Sequence, residues 1–120
     1  MSIKADVFDF STKKQQDTTA NDNDKTFTVP ANKLWKLQTV YVEFAADDTV
    51  GNRLVNIELR DSADALLFSG TPANVQTASS TTYYNFFPGA PHLSAVSGNN
   101  RVYIPIPSII LVAGEDVRVF

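Results

Sequence analysis

At 120 residues with no cysteine, the chain has length for one well-filled core and no access to disulfides, thiolate metal sites or a Cys nucleophile. Its formal net charge is −3, and its 10 Lys and Arg are scattered rather than gathered into a stripe, which removes the main electrostatic term of nucleic-acid binding. Charged residues make up only 19% against 11% aromatics, a balance that suits a protein hiding extra surface in contacts.

The opening residues, MSIKADVFDF, lack the cationic region and unbroken apolar stretch of a secretory signal. No later apolar run approaches the roughly 18 residues of a membrane span, so the chain is expected to be made in the cytoplasm and to stay soluble, away from membranes. Residues 11–24, STKKQQDTTANDND, contain no large apolar side chain and cannot bury enough area to offset the entropy of ordering. The segment 1–24 therefore reads as an N-terminal arm: a polar tether carrying a small apolar hook of Ile3, Val7, Phe8 and Phe10. Those four side chains are the candidate partner-binding residues.

From Lys25 the pattern changes to period two, and residues 25–120 read as the folded domain. Phe27 and Val29 alternate with Thr26 and Thr28, and Pro30-Ala31-Asn32-Lys33 supplies a turn. Leu34 to Phe44 is rich in β-branched and aromatic residues and reads as one long strand. Its phase shifts near Gln38, where a bulge or a sheet corner is expected. Asp47 to Asn52 is a loop. Arg53 to Arg60 resumes alternation with Val55, Ile57 and Leu59 inward, and Asp61 to Asp64 turns it into a hairpin with Leu66-Leu67-Phe68. Tyr83 to Phe87 is an aromatic strand closed by Pro88-Gly89. Residues 90–100 read as a long loop.

Pro105 and Pro107 donate nothing to a ladder, which argues that residues 101–107 form an edge strand or a strand leaving a sheet. Ser108 to Val112 and Asp116 to Phe120 are short strands about Ala113-Gly114-Glu115. With seven or eight short strands, frequent turns and no amphipathic helix, the expected class is all-β, a jelly-roll-like antiparallel β-sandwich with an extended N-terminal arm.

Chemistry is hard to place on this chain. The single histidine, His92, lies between Pro91 and Leu93 with no nucleophile motif elsewhere to complete a triad. The acidic pairs Asp22/Asp24, Asp47-Asp48, Asp61/Asp64 and Glu115-Asp116 lack the spacing of a calcium loop and read as turn chemistry. No enzymatic activity, metal or cofactor is expected. Tyr83, Tyr84, Phe86 and Phe87 alternate between two faces of one strand, so half belong to the core and half are left for a contact surface. A carbohydrate platform would use Trp35 and requires its ring on the surface.

Several blocks share a likeness. They are T-V-P-A-x-K-L-W (Thr28 to Trp35), V-G-N-R-x-V (Val50 to Val55), Asp61 with Leu66-Leu67-Phe68, Tyr83-Tyr84-x-F, Pro88-Gly89, and P-x-P-x-x-x-L-x-A-G-x-x-V-R-V (Pro105 to Val119). Together they resemble small proteins from tailed-bacteriophage virion gene clusters, in particular head decoration, or cement, proteins, over roughly residues 26–120. The resemblance implies a virion structural protein on the capsid surface. It would associate with itself, as a homotrimer, and with the major capsid protein, bridging capsid subunits. A tail or fibre-associated module and a carbohydrate-binding jelly roll are the alternatives.

Overall fold

The computed structural model describes residues 15–19, 24–91, 93–96 and 100–120. The described residues form ten strands and no helix: β1 (Lys25–Thr28), β2 (Leu34–Lys36), β3 (Val40–Ala45), β4 (Ile57–Arg60), β5 (Leu66–Gly70), β6 (Thr81–Phe87), β7 (Leu93–Val96), β8 (Arg101–Pro105), β9 (Ile110–Val112) and β10 (Asp116–Val119). One four-stranded sheet has the order β1-β10-β4-β5, the other β3-β6-β8-β7, and β2 pairs with β9 in a two-stranded ribbon. The class is all-β.

Alternation builds the two sheets around one core. Ile57 and Leu59 of β4 and Val117 and Val119 of β10 point inward from the first sheet; Tyr84 and Phe86 of β6 and Val102 and Ile104 of β8 point inward from the second. These side chains belong to a single buried cluster, with Phe27, Val40, Val42, Phe44 and Phe68 packed against it. The ribbon closes one side. β2 links β1 to β3 and β9 links β8 to β10, so these two of the chain's four crossings between the sheets run through the ribbon, where they pair antiparallel in the register Leu34↔Val112, Trp35↔Leu111, Lys36↔Ile110. Leu111 is fully buried and Trp35 packs half-buried against the same core.

Several of the blocks that carried the resemblance hold turns and core positions of this fold, while Leu34, Val50, Leu66 and Leu67 within them are exposed. Lys33 N–H donates to Pro30 O at 3.2 Å while Asn32 takes a positive φ of 61°. The Arg53 guanidinium donates to Asp47 Oδ1 and Gly51 O, each at 2.6 Å, and to Thr49 O at 2.8 Å, clamping the loop before β4. Asp61 Oδ1 accepts from Ala63 N–H at 2.9 Å and Ala65 N–H at 2.8 Å, an Asx-type turn that sets the β4–β5 hairpin. Gly114, at φ +86°, donates to Val29 O at 2.9 Å in the turn between β9 and β10, a backbone conformation that side-chain-bearing residues rarely take.

The structure corrects the element reading in five places. The long strand over 34–44 is two strands: Leu37 to Thr39 turn the chain from the ribbon into the second sheet, which accounts for the phase shift near Gln38. The β4 strand begins only at Ile57, with Arg53 reaching Gln76 through an isolated bridge and Asn56 exchanging backbone bonds with Phe120. Residues 93–96, expected within a loop, form β7 and occupy the sheet edge. β8 is consequently an interior strand, and Pro105 is tolerated because it stands at its end, opposite Phe87. Finally, β6 and β8 run parallel, so the sheets are not antiparallel throughout.

Candidate interaction surfaces

The outward sides of the three sheets differ sharply. On the β1-β10-β4-β5 sheet, charges are matched within the chain. Thr28 Oγ1 donates to Asp116 at 2.6 Å, Arg118 pairs with Asp64 at 3.2 Å and Asp116 at 3.8 Å, and Arg60 pairs with Glu58 and reaches Asp64 at 4.0 Å.

The ribbon carries apolar side chains on both sides, with Lys36 the one charged residue on the outer side. Trp35 and Leu111 face the core, while Leu34, Ile110 and Val112 face outward, 68%, 60% and 47% exposed. Leu34 stands opposite Val112, and Ile110 opposite Lys36, so the three form one contiguous patch. Sequence reasoning overlooked this patch. Its signal was present in the consecutive run Ile109-Ile110-Leu111-Val112, because a strand alternates faces and unbroken apolar residues must load both of them.

The outer side of the β3-β6-β8-β7 sheet is aromatic. Tyr41, 54% exposed, stacks on Tyr83 with centroids 6.4 Å apart; the Arg101 guanidinium lies 5.5 Å from the Tyr83 ring centre; and Phe87 meets Tyr103 edge-on at 6.2 Å. Of the aromatic strand, Tyr84 and Phe86 are core and Tyr83 and Phe87 are outward, as alternation requires.

A cleft of about 160 Å³, lined by Asn74, Val75, Gln76, Tyr84, Asn100 and Val102 among others, is part polar and part apolar, and its polar groups brace one another. Tyr84 Oη donates to Gln76 Oε1 at 2.8 Å, and Gln76 Nε2 donates to Phe44 O and Ser80 O, both at 2.9 Å. Among the described residues Tyr84 is the only titratable one lining it, and burial pushes its hydroxyl above the ordinary value of 10.0.

The acidic turn residues are likewise engaged locally: Asp47 and Asp61 each accept the backbone N–H two residues on. Among the described residues, no group of three or more His, Cys, Asp or Glu converges on a common point. No helix among them is long and apolar enough to cross a membrane.

Ile3, Val7, Phe8 and Phe10, together with His92 and Asp22, lie outside the described residues. Of the polar tether, Gln15 to Thr19 are exposed, and Lys25 at the start of β1 pairs with Asp17 at 3.3 Å and donates to Thr19 O at 3.1 Å. The Thr19 backbone N–H, and then Lys25, hold the Asp17 carboxyl below its usual range. Trp35, the residue on which a sugar platform would rest, is half-buried against the core rather than presented on the surface. Comparison with known protein families, with curated proteins and with solved structures finds no match.

Proposed function

We propose that this chain is a virion structural protein that decorates the outside of a phage head, binding the major capsid protein and copies of itself so that neighbouring shell subunits are bridged. The likeness of its turn and core blocks to tailed-phage virion proteins supports this reading. The observation that carries it is the outward side of the ribbon. Leu34, Ile110 and Val112 are grouped on a stiff two-stranded element whose other side is anchored in the core by Leu111. Covering each such side chain contributes up to about 1.5–3 kcal/mol, and doing so from a rigid support adds little ordering cost. A bridging protein needs this kind of energy, spread over surfaces rather than focused at a catalytic site.

Sedimentation of purified protein with heads of the encoding phage, prepared without this chain, tests the reading. Saturable co-sedimentation with heads and not with separated tails is expected. The Leu34→Lys/Val112→Lys variant should stay in the supernatant while melting as the wild type does. Wild-type protein that ignores heads overturns the assignment, and a variant that binds as well as wild type removes the ribbon from the contact.

A further inference from the structure

The outer side of the β3-β6-β8-β7 sheet carries an ordered pattern that head binding through the ribbon does not use. Register places Glu43 of β3, Tyr83 of β6 and Arg101 of β8 in one row across the sheet. The next row along is Tyr41, Asn85 and Tyr103, and Phe87 with Pro105 follows. Strands lie about 4.8 Å apart, so the Glu43 and Arg101 backbones stand about 10 Å apart on either side of Tyr83. Neither side chain enters the ion pairs found among the described residues, and both are exposed. A negative charge, an aromatic ring and a positive charge are thus arrayed symmetrically about β6.

We propose that this face is a self-complementary contact between two copies of the chain, related by a two-fold axis that lies between the facing sheets and runs along β6. The proposal rests on the functional reading only in taking copies to associate; it specifies which face they use and relates them as a two-fold pair, where the resemblance implies a homotrimer. Rotation by 180° about such an axis carries β3 of one copy over β8 of the other and keeps each row at its own level. Glu43 of each copy then meets Arg101 of the other, Tyr41 meets Tyr103, and Tyr83 and Asn85 meet their own counterparts. The charge pattern selects this axis. A two-fold axis running across the strands at the level of this row would set Glu43 on Glu43 and Arg101 on Arg101, which like charges disfavour, and at any other level it would leave both unpaired.

The composition also fits, since Tyr and Arg are the side chains favoured at the centres of protein contacts. Sheets that pack face to face cross at about −30°, which tilts the two β6 strands symmetrically about the axis without exchanging the rows near the centre. The patch, about three strands by seven residues or roughly 14 by 23 Å, covers only about 320 Å² per copy in projection, below what a stable interface buries, so the pair is weak and forms reversibly.

Sedimentation velocity of the full chain from about 10 μM to 1 mM reads the association directly. A monomer–dimer equilibrium is expected for the wild type, weakening in high salt. Glu43→Arg and Arg101→Glu should each weaken it by about tenfold or more while melting as the wild type does, since both positions are exposed. An equimolar mixture of the two variants should recover the association, because an all-positive row then faces an all-negative one. A wild type that stays monomeric throughout, a dimer indifferent to the single reversals, or a mixture that fails to recover overturns the proposal. Head co-sedimentation run in parallel keeps the two readings apart: heads bound by a monomer sink only the two-fold contact, and a dimer that ignores heads sinks only the decoration role.

Discussion

Replacing Tyr84 by phenylalanine deletes one oxygen from the brace that joins β6 to the end of β3 and the loop before β6. The hydroxyl donates to Gln76 Oε1 at 2.8 Å, and the same glutamine holds Phe44 O and Ser80 O through Nε2 at 2.9 Å each. Loss of one neutral hydrogen bond costs about 1 kcal/mol, and leaving Gln76 Oε1 without its donor adds to that. The adjoining cleft admits water to the glutamine, which limits the penalty, so a total of about 1–2 kcal/mol is expected. For a domain of this size that corresponds to a fall in Tm of about 4–12 °C, measured by far-UV circular dichroism. Gln76→Leu should cost more, because it strands the Tyr84 hydroxyl and releases two carbonyls, and the double variant should cost less than the sum of the two.

The same variant tests the titration of Tyr84. Burial raises its pKa in the folded state, so in the unfolded chain the phenol loses its proton near pH 10 while the folded protein still keeps it. The contribution is therefore fully present below about pH 10 and is lost as pH rises through the folded value. Wild-type stability should fall above pH 10, and the gap to Tyr84→Phe should narrow there. A variant melting within about 1 °C of wild type, or strict additivity with Gln76→Leu, would refute the brace as described.

Three further outcomes are expected. Gly114→Ala should lower stability by about 1–3 kcal/mol in urea unfolding, because the position holds φ +86° and the added carbon would sit 3.2 Å from Ser62 Cβ. Removal of residues 1–14, which deletes the apolar hook but keeps the Asp17–Lys25 pair, should leave the melt unchanged and weaken attachment to particles; undiminished attachment would show that Ile3, Val7, Phe8 and Phe10 do not serve as a connector. Addition of a chelator should shift Tm by less than about 1 °C, consistent with acidic turns that bind their own backbone.

The sequence by itself determined the class and the local chemistry of the chain. Alternation of Ile57 and Leu59 with Glu58 and Arg60, and of Tyr84 and Phe86 with Tyr83 and Phe87, decides which side chains can share a core, because a strand has only two faces. The turns were legible for the same local reason: Asp61 and Pro30 accept hydrogen bonds from residues within four of themselves, and Gly114 supplies the positive φ its turn takes. Pairing partners were not legible. Whether Pro105 ends an edge strand or an interior one depends on β7 lying beside β8, and whether β6 meets β8 parallel depends on a connection that periodicity does not encode. The ribbon was hidden because its strands are only three residues each, too short for a phase to be read, and because pairing Leu34 with Val112 joins segments far apart in the chain. Only the assembled sheets bring Glu43, Tyr83 and Arg101 into one row and leave Leu34, Ile110 and Val112 on one patch. A surface is a property of neighbours across strands, and those neighbours are chosen by tertiary packing.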